Sequence, residues 1–444
     1  MTTRDEMLAR AQKPAEEALR LHPIYRGKVQ IAPKCPIRDL GDFAIWYTPG
    51  VAAPCRAIEA RPELVWEHTN RANLVAVVSD GTRVLGLGDI GPEAGLPVME
   101  GKALLFKHLG GVDAIPLCLG TKDPDELVRV VEVLAPSFGA VNLEDIAQPK
   151  CFRVLSALRE RLPIPVWHDD QQGTATVLLA GLACALEIVG KRIDGVRIAL
   201  VGVGAANVAV YRLLRARGAD PAGIVACDSR GPLHRGRADL EAARETYPDK
   251  WRICTETNQE RVAGGIAEAL RGADVCIAFS RPGPGVVEPA WVRAMARDPV
   301  VFACANPVPE IWPWDALDAG ARIVATGRGD FANQLNNSLA FPGIFRGALD
   351  VRARSISDAM ALAAADALAA VARAGGLSEQ RVLPHMSEIE AHVQVAVATA
   401  RAAEREGLAQ IAVAPDLEGA VRRRIEDARA LAALLLREGR IAPP

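Results

Sequence analysis

Two pairs of adjacent acids, Glu144-Asp145 and Asp169-Asp170, follow short apolar runs, Val141-Asn142-Leu143 and Pro165-Val166-Trp167-His168. Carboxyl ends of parallel strands are where α/β domains place their sites. Neighbouring side chains in a regular strand point to opposite faces, so Glu144 and Asp145 can share one ion only if the strand breaks there. Oxygen-only ligands with no cysteine nearby suit a hard divalent cation, Mg²⁺ or Mn²⁺. A helix cap or a solvated strand end is the plainer reading of either pair. His168 is expected to be a hydrogen-bonded structural residue.

Lys102 lies in the mostly apolar stretch Pro97–Phe106, read as the start of a helix over 98–109. A desolvated amine near a helix N-terminus is expected to have a lowered pKa, as a general base near neutrality needs. The alternative is a snorkelling surface lysine. The chain holds nine lysines against 43 arginines. Where a lysine persists among apolar residues its titratable amine is a reason for it, because arginine does not lose its proton. Tyr47 precedes a tight turn at Pro49-Gly50 and is either a phenolic general acid or a packed aromatic.

The run Gly202-Val203-Gly204-Ala205-Ala206-Asn207 follows an apolar strand, 197–201, and opens a helix beginning at Val208. In that context the glycines let backbone approach a pyrophosphate, and the helix N-terminus offers free N–H groups and positive dipole. Asn207 takes the place of the usual third small residue and is expected to loosen helix–strand contact. Asp228 ends the next strand, where a carboxylate accepts from the adenosine ribose hydroxyls. It would repel a 2′-phosphate, which favours NAD. Arg230 and Arg235 follow closely and keep NADP open.

Apolar runs of four to six residues alternate with amphipathic helices along most of the chain. Strands are predicted over 74–78, 114–119, 140–143, 164–167, 197–201, 224–227, 275–279, 300–303 and 322–325. This pattern gives two successive α/β domains built on parallel strands. The length of 444 residues fits two or three domains at roughly 150 residues each. Beyond Ser357 the sequence reads as Ala-rich helix, expected to pack on a domain or a partner subunit. No apolar run reaches the ~18 residues of a membrane span. The first thirty residues lack a signal core, and a cytoplasmic protein is expected. A net charge of −2 without a basic block disfavours nucleic acid. Nine irregularly spaced cysteines, an odd number, argue for reduced thiols rather than disulfides or zinc.

Taken together, the motifs resemble the malic enzymes. The matching segments are Tyr47-Thr48-Pro49-Gly50-Val51, Ser79-Asp80-Gly81-Thr82-Arg83 through Asp89, Gly101-Lys102, and Asn142-Leu143-Glu144-Asp145. They continue with Asp169-Asp170-Gln171-Gln172-Gly173-Thr174-Ala175, the GVGAAN turn, Ala305-Asn306-Pro307, and Asn336-Asn337 before Phe341-Pro342-Gly343. The length resembles the short bacterial form. The resemblance implies an N-terminal substrate domain over 1–165, a Rossmann-like NAD(P)-binding domain over 166–395 and a helical segment over 396–444. It implies oxidative decarboxylation of (S)-malate to pyruvate and CO₂ with reduction of NAD. Lys102 then matches the general base, Tyr47 the acid that protonates C3, and Glu144, Asp145 and Asp170 the metal ligands. Asn306 and Asn337 match residues that contact substrate and nicotinamide, and Arg83 a malate-carboxylate ligand of the larger forms. A homodimer or larger homo-oligomer is expected. A malolactic or other 2-hydroxy-acid reaction, and a non-catalytic nucleotide sensor, are the competing readings.

Overall fold

The computed structural model describes residues 4–443, with side chains from residue 12. Helices α1 (Arg4–Tyr25), α2 (Asp42–Trp46) and α3 (Ala52–Ala60) form an N-terminal arm. The first sheet follows: β1 (Leu74–Ser79), β2 (Asp113–Cys118), β3 (Ala140–Leu143) and β4 (Val166–His168), with helices α4 (Pro92–Gly110), α5 (Pro124–Leu134) and α6 (Lys150–Arg161) as crossovers. All its strands are parallel, in the order β2-β1-β3-β4. The order reverses between β1 and β3, and ligands of open α/β sheets bind at such a switch point.

Helix α7 (Thr174–Ile188) leads into the second sheet and is buried along most of its length, which explains its almost uninterrupted apolar sequence. That sheet holds β5 (Ile198–Val201), β6 (Ile224–Asp228), β7 (Gly231–Pro232), β8 (Val275–Ala278), β9 (Val300–Ala303) and β10 (Ile323–Thr326), in the order β10-β9-β8-β5-β6-β7. Only β7 runs antiparallel. Helix α8 (Ala205–Ala216) follows β5 and leaves the switch point between β5 and β8. Helices α9 (Phe341–Asp350), α10 (Asp358–Ala374), α11 (Ile389–Arg405) and α12 (Leu417–Arg437) close the chain. Both α9 and α12 pack back onto α4, so one hydrophobic core runs from Val75 and Val77 of β1 through α7 to Leu200 of β5.

All nine predicted strands are present, each end within two residues of its expected bound. The two-residue β7 has no apolar run to announce it. Helix α4 begins at Pro92 after Gly91, six residues before its expected start, because proline is preorganised for the first helical turn. Lys102 therefore lies in mid-helix, away from the dipole that was expected to act on it. No helix among the described residues is long and apolar enough to cross a membrane.

Candidate active site in the interdomain cleft

Strand β3 ends at Leu143, and Asp145 takes φ +54°, a left-handed conformation that aspartate tolerates better than bulkier residues. This is the break the adjacent acids require. Asp145 accepts from Leu85 N–H at 3.3 Å and gives its own N–H to Asp170 Oδ2 at 2.8 Å. Carboxylate oxygens of Glu144, Asp145 and Asp170 all lie within 4.8 Å of one another. Glu144 and Asp145 are buried, and Asp145 Oδ2 has no hydrogen-bond partner. Burial pushes the Asp145 carboxyl up to about 8, with repulsion from Asp170 adding to it. The Glu144 carboxyl is likewise raised by burial. A buried, partnerless carboxylate oxygen among crowded acids fits a hard divalent cation, which would relieve both the desolvation and the repulsion.

The second acidic pair divides its work. Residues 169–173 form one π-turn between β4 and α7, a widened geometry often found at functional sites. Asp170 faces Asp145, whereas Asp169 is wholly buried and accepts from Lys102 Nζ at 2.7 Å and Trp167 Nε1 at 3.1 Å. Gly173 makes this possible, because a Cβ there would stand 1.9 Å from Asp169 Oδ1. Lys102 also pairs with Glu144 Oε1 at 2.9 Å and lies 4.5 Å from the centre of the Phe341 ring.

The expected lowering of the Lys102 pKa is not found. Burial favours the neutral amine, but Asp169 and Glu144 outweigh it and hold the ammonium above the ordinary lysine range. His168 is fully buried, yet neither ring nitrogen has a hydrogen-bond partner, and Asp170 Oδ2 is 3.7 Å from Nδ1. The expectation of a hydrogen-bonded histidine is corrected accordingly.

One cavity of 520 Å³ joins these groups to the second sheet. Lys102, Glu144, Asp145 and Asp170 line one side, and Gly202, Gly204, Ala205, Ala206 and Asp228 the other. Gly202 needs its φ of +89°, and a Cβ there would meet Phe279 O at 2.4 Å. Asn207 is not in the lining. It is buried behind the turn and donates to Val201 O at 3.2 Å and Gly202 O at 2.7 Å. It therefore ties helix to strand instead of loosening them.

Asp228 accepts from Arg230 N–H at 2.9 Å and from both Arg237 terminal nitrogens at 3.2 Å. The side chains of Arg230 and Arg235 are engaged elsewhere, on Asp239 and Thr255 O. Arg237 was not singled out from sequence, since nothing in its spacing separates it from its neighbours. Arg83, Asn306 and Asn337 also line the cavity. Tyr47 does not; it is 69% exposed on the N-terminal arm.

Residues 26–159 match the malic enzyme N-terminal domain, and residues 171–404 the malic enzyme NAD binding domain. The chain is 47% identical over 401 residues to the bifunctional malic/malolactic enzyme of Bacillus subtilis (strain 168), covering 90% of this chain and 96% of that protein. It is 47% identical over 386 residues to the NAD-dependent malic enzyme of Geobacillus stearothermophilus, covering 86% and 78% respectively. The crystal structure of Entamoeba histolytica malic enzyme superposes with a TM-score of 0.96 at 46% identity, covering 99% of this chain and 92% of that one. Both domains match in order, and the likeness extends over nearly the whole chain, so the protein belongs to the malic enzyme family.

Proposed function

We propose that the cleft carries out the oxidative decarboxylation of malate with Lys102 as base, Tyr47 as acid and Glu144, Asp145 and Asp170 as ligands of Mg²⁺ or Mn²⁺. The observation that carries this reading is one cavity lined by the three acids and Lys102 on one side and by the GVGAA turn on the other. Bound there, the divalent ion supplies Lewis-acid character at the C1 carboxylate and C2 oxygen, and NAD supplies the hydride acceptor. Lys102 takes the C2 hydroxyl proton, its amine oriented by Asp169. With Glu144 and Asp170 engaged by a cation, Asp169 is left to oppose the desolvation that favours the neutral amine a base needs. Arg83 balances a malate carboxylate, and Asn306 and Asn337, which line the same cavity, contact the substrate and nicotinamide. NAD is the acceptor in this reading because the Asp228 carboxylate stands where a 2′-phosphate would have to sit. Gly202, Gly204, Ala205 and Ala206 cradle its pyrophosphate, with Asn207 holding the turn from behind.

Tyr47 reaches C3 from a second copy of the chain. It lies outside its own cavity, and Leu40, Phe43, Ile45 and Trp46 beside it are exposed, a run of apolar surface that needs a partner to cover it. Mixing inactive Tyr47→Phe and Lys102→Ala subunits tests this. Random exchange into dimers is expected to recover about a quarter of wild-type activity, since each hybrid holds one complete site. No recovery after verified exchange would refute the shared site. Normal malate turnover by Lys102→Ala alone would refute the base assignment.

A further inference from the structure

Strands β8 and β9 pair as far as Ala278 and Ala303, and Cys304 N–H still donates to Ala278 O at 3.0 Å. Beyond that point the two chains diverge into the loops that carry Ser280 and Ala305-Asn306, all of which line the cavity. The Glu310 carboxylate spans the gap from behind. Its Oε1 accepts from Ser280 N–H at 2.8 Å and from Ser280 Oγ at 3.1 Å, while Oε2 accepts from Ala305 N–H at 3.0 Å. Glu310 is wholly buried and is not part of the cavity lining. A buried carboxylate is costly unless its oxygens are satisfied, and here the donors that satisfy it come from the two loops that line the cavity.

These loops occupy the half of the sheet opposite Asp228. A dinucleotide with its adenosine ribose on Asp228 and its pyrophosphate at the N-terminus of α8 extends its other half across β5, toward the ends of β8 and β9. The floor it meets there is Ser280, Ala305 and Asn306. The same loops also meet the first domain, because a Cβ on Gly86 would stand 2.1 Å from Asn306 O and 2.5 Å from Pro282 Cγ.

We propose that Glu310 is the positioning residue for the nicotinamide half of the bound dinucleotide, its buried carboxylate fixing the spacing of the Ser280 and Ala305-Asn306 loops. This rests on the reading of the cleft as a dinucleotide site in that orientation. Glu310→Gln keeps the shape but turns an amide N–H₂ toward one of the donors, so one loop is released.

The test is calorimetric binding of NADH and of ADP-ribose, which lacks the nicotinamide, to wild type and variant. NADH is expected to bind about tenfold more weakly to Glu310→Gln, while ADP-ribose changes by less than about twofold. A purely structural role would weaken both ligands together, and that result, or no change in either, would overturn the proposal. If Glu310→Gln does not fold, Glu310→Asp retains the charge, is one methylene too short to reach both loops, and is expected to give the same split. If wild type itself bound NADH no more tightly than ADP-ribose, the orientation would fail and not the role of Glu310 alone.

Discussion

Gly86 is one point where the two domains touch beside the cavity, and Gly86→Ala perturbs their spacing there. The added methyl would lie 2.1 Å from Asn306 O and 2.5 Å from Pro282 Cγ. Relieving those overlaps requires a separation of about 1 Å or more, given van der Waals contact at ~3.5 Å. The Asn306 side has little freedom, because Ala305 N–H is held by Glu310. The Gly86 loop must therefore move, and Arg83 and Leu85 move with it. Arg83 N–H donates to Asp145 O at 3.0 Å, and Leu85 N–H to the Asp145 carboxylate. The displacement reaches the proposed metal ligand Asp145 and the proposed substrate ligand Arg83 at once. A misplacement of ~1 Å in a reacting geometry costs about 10²-fold, or about 2.7 kcal/mol of transition-state stabilisation. Steady-state kinetics should show kcat/KM for L-malate lower by that factor. A variant with kcat/KM within about threefold of wild type, a loss of only ~0.7 kcal/mol, would refute the claim that this contact sets the cleft.

Asp170→Ala removes one of the three proposed ligands and should weaken Mn²⁺ binding by at least about tenfold, the low end of what even outer-shell substitutions cost. An unchanged Mn²⁺ titration followed by electron paramagnetic resonance would remove Asp170 from the set. His392 is buried with its Nε2 on Met386 O, and burial pushes it down to about 4 from 6.5. The folded state keeps the ring neutral while the unfolded chain takes a proton, so stability is full above about pH 6.5 and falls as pH drops toward 4, by about 3 kcal/mol from this residue. Denaturant melts of wild type and His392→Gln across that window should differ in slope, and equal slopes would contradict the assignment. Six of the nine cysteines are buried, and burial pushes the Cys151 and Cys227 thiols up to about 12. Ellman's reagent should modify Cys55 first, and no more than Cys55, Cys35 and Cys118 before unfolding; prompt reaction of a fourth thiol would show that the core opens.

The parallel-strand framework was legible because buried strands read as short apolar runs, and the acids were legible because they stand where those runs stop. The alternation of side chains along a strand gave the condition for Glu144 and Asp145 to converge, a break in the strand, and the end of β3 at Leu143 meets it. What stayed hidden depends on contacts distant in sequence. The pKa of Lys102 is set by Asp169, 67 residues away, and no local pattern says which of two adjacent acids will turn toward an amine. Asn207 looked like a defect in a glycine-rich turn until its amide was seen bonded to the carbonyls of Val201 and Gly202. Glu310 and Gly86 carry no motif of their own, since each matters only through backbone that another segment brings to it. Tyr47 was singled out through the resemblance, and its position on an exposed arm follows from the packing of that arm.

In the proposed reaction three carboxylates and Lys102 act on malate beside a bound nicotinamide. The most direct test follows reduced nicotinamide absorbance with L-malate, NAD and Mn²⁺, assays pyruvate in the same samples, and repeats both with excess EDTA. Equal yields of NADH and pyruvate, both abolished by EDTA and restored by added Mn²⁺, are the expected result. NADH formed without pyruvate, or turnover indifferent to EDTA, would contradict the account.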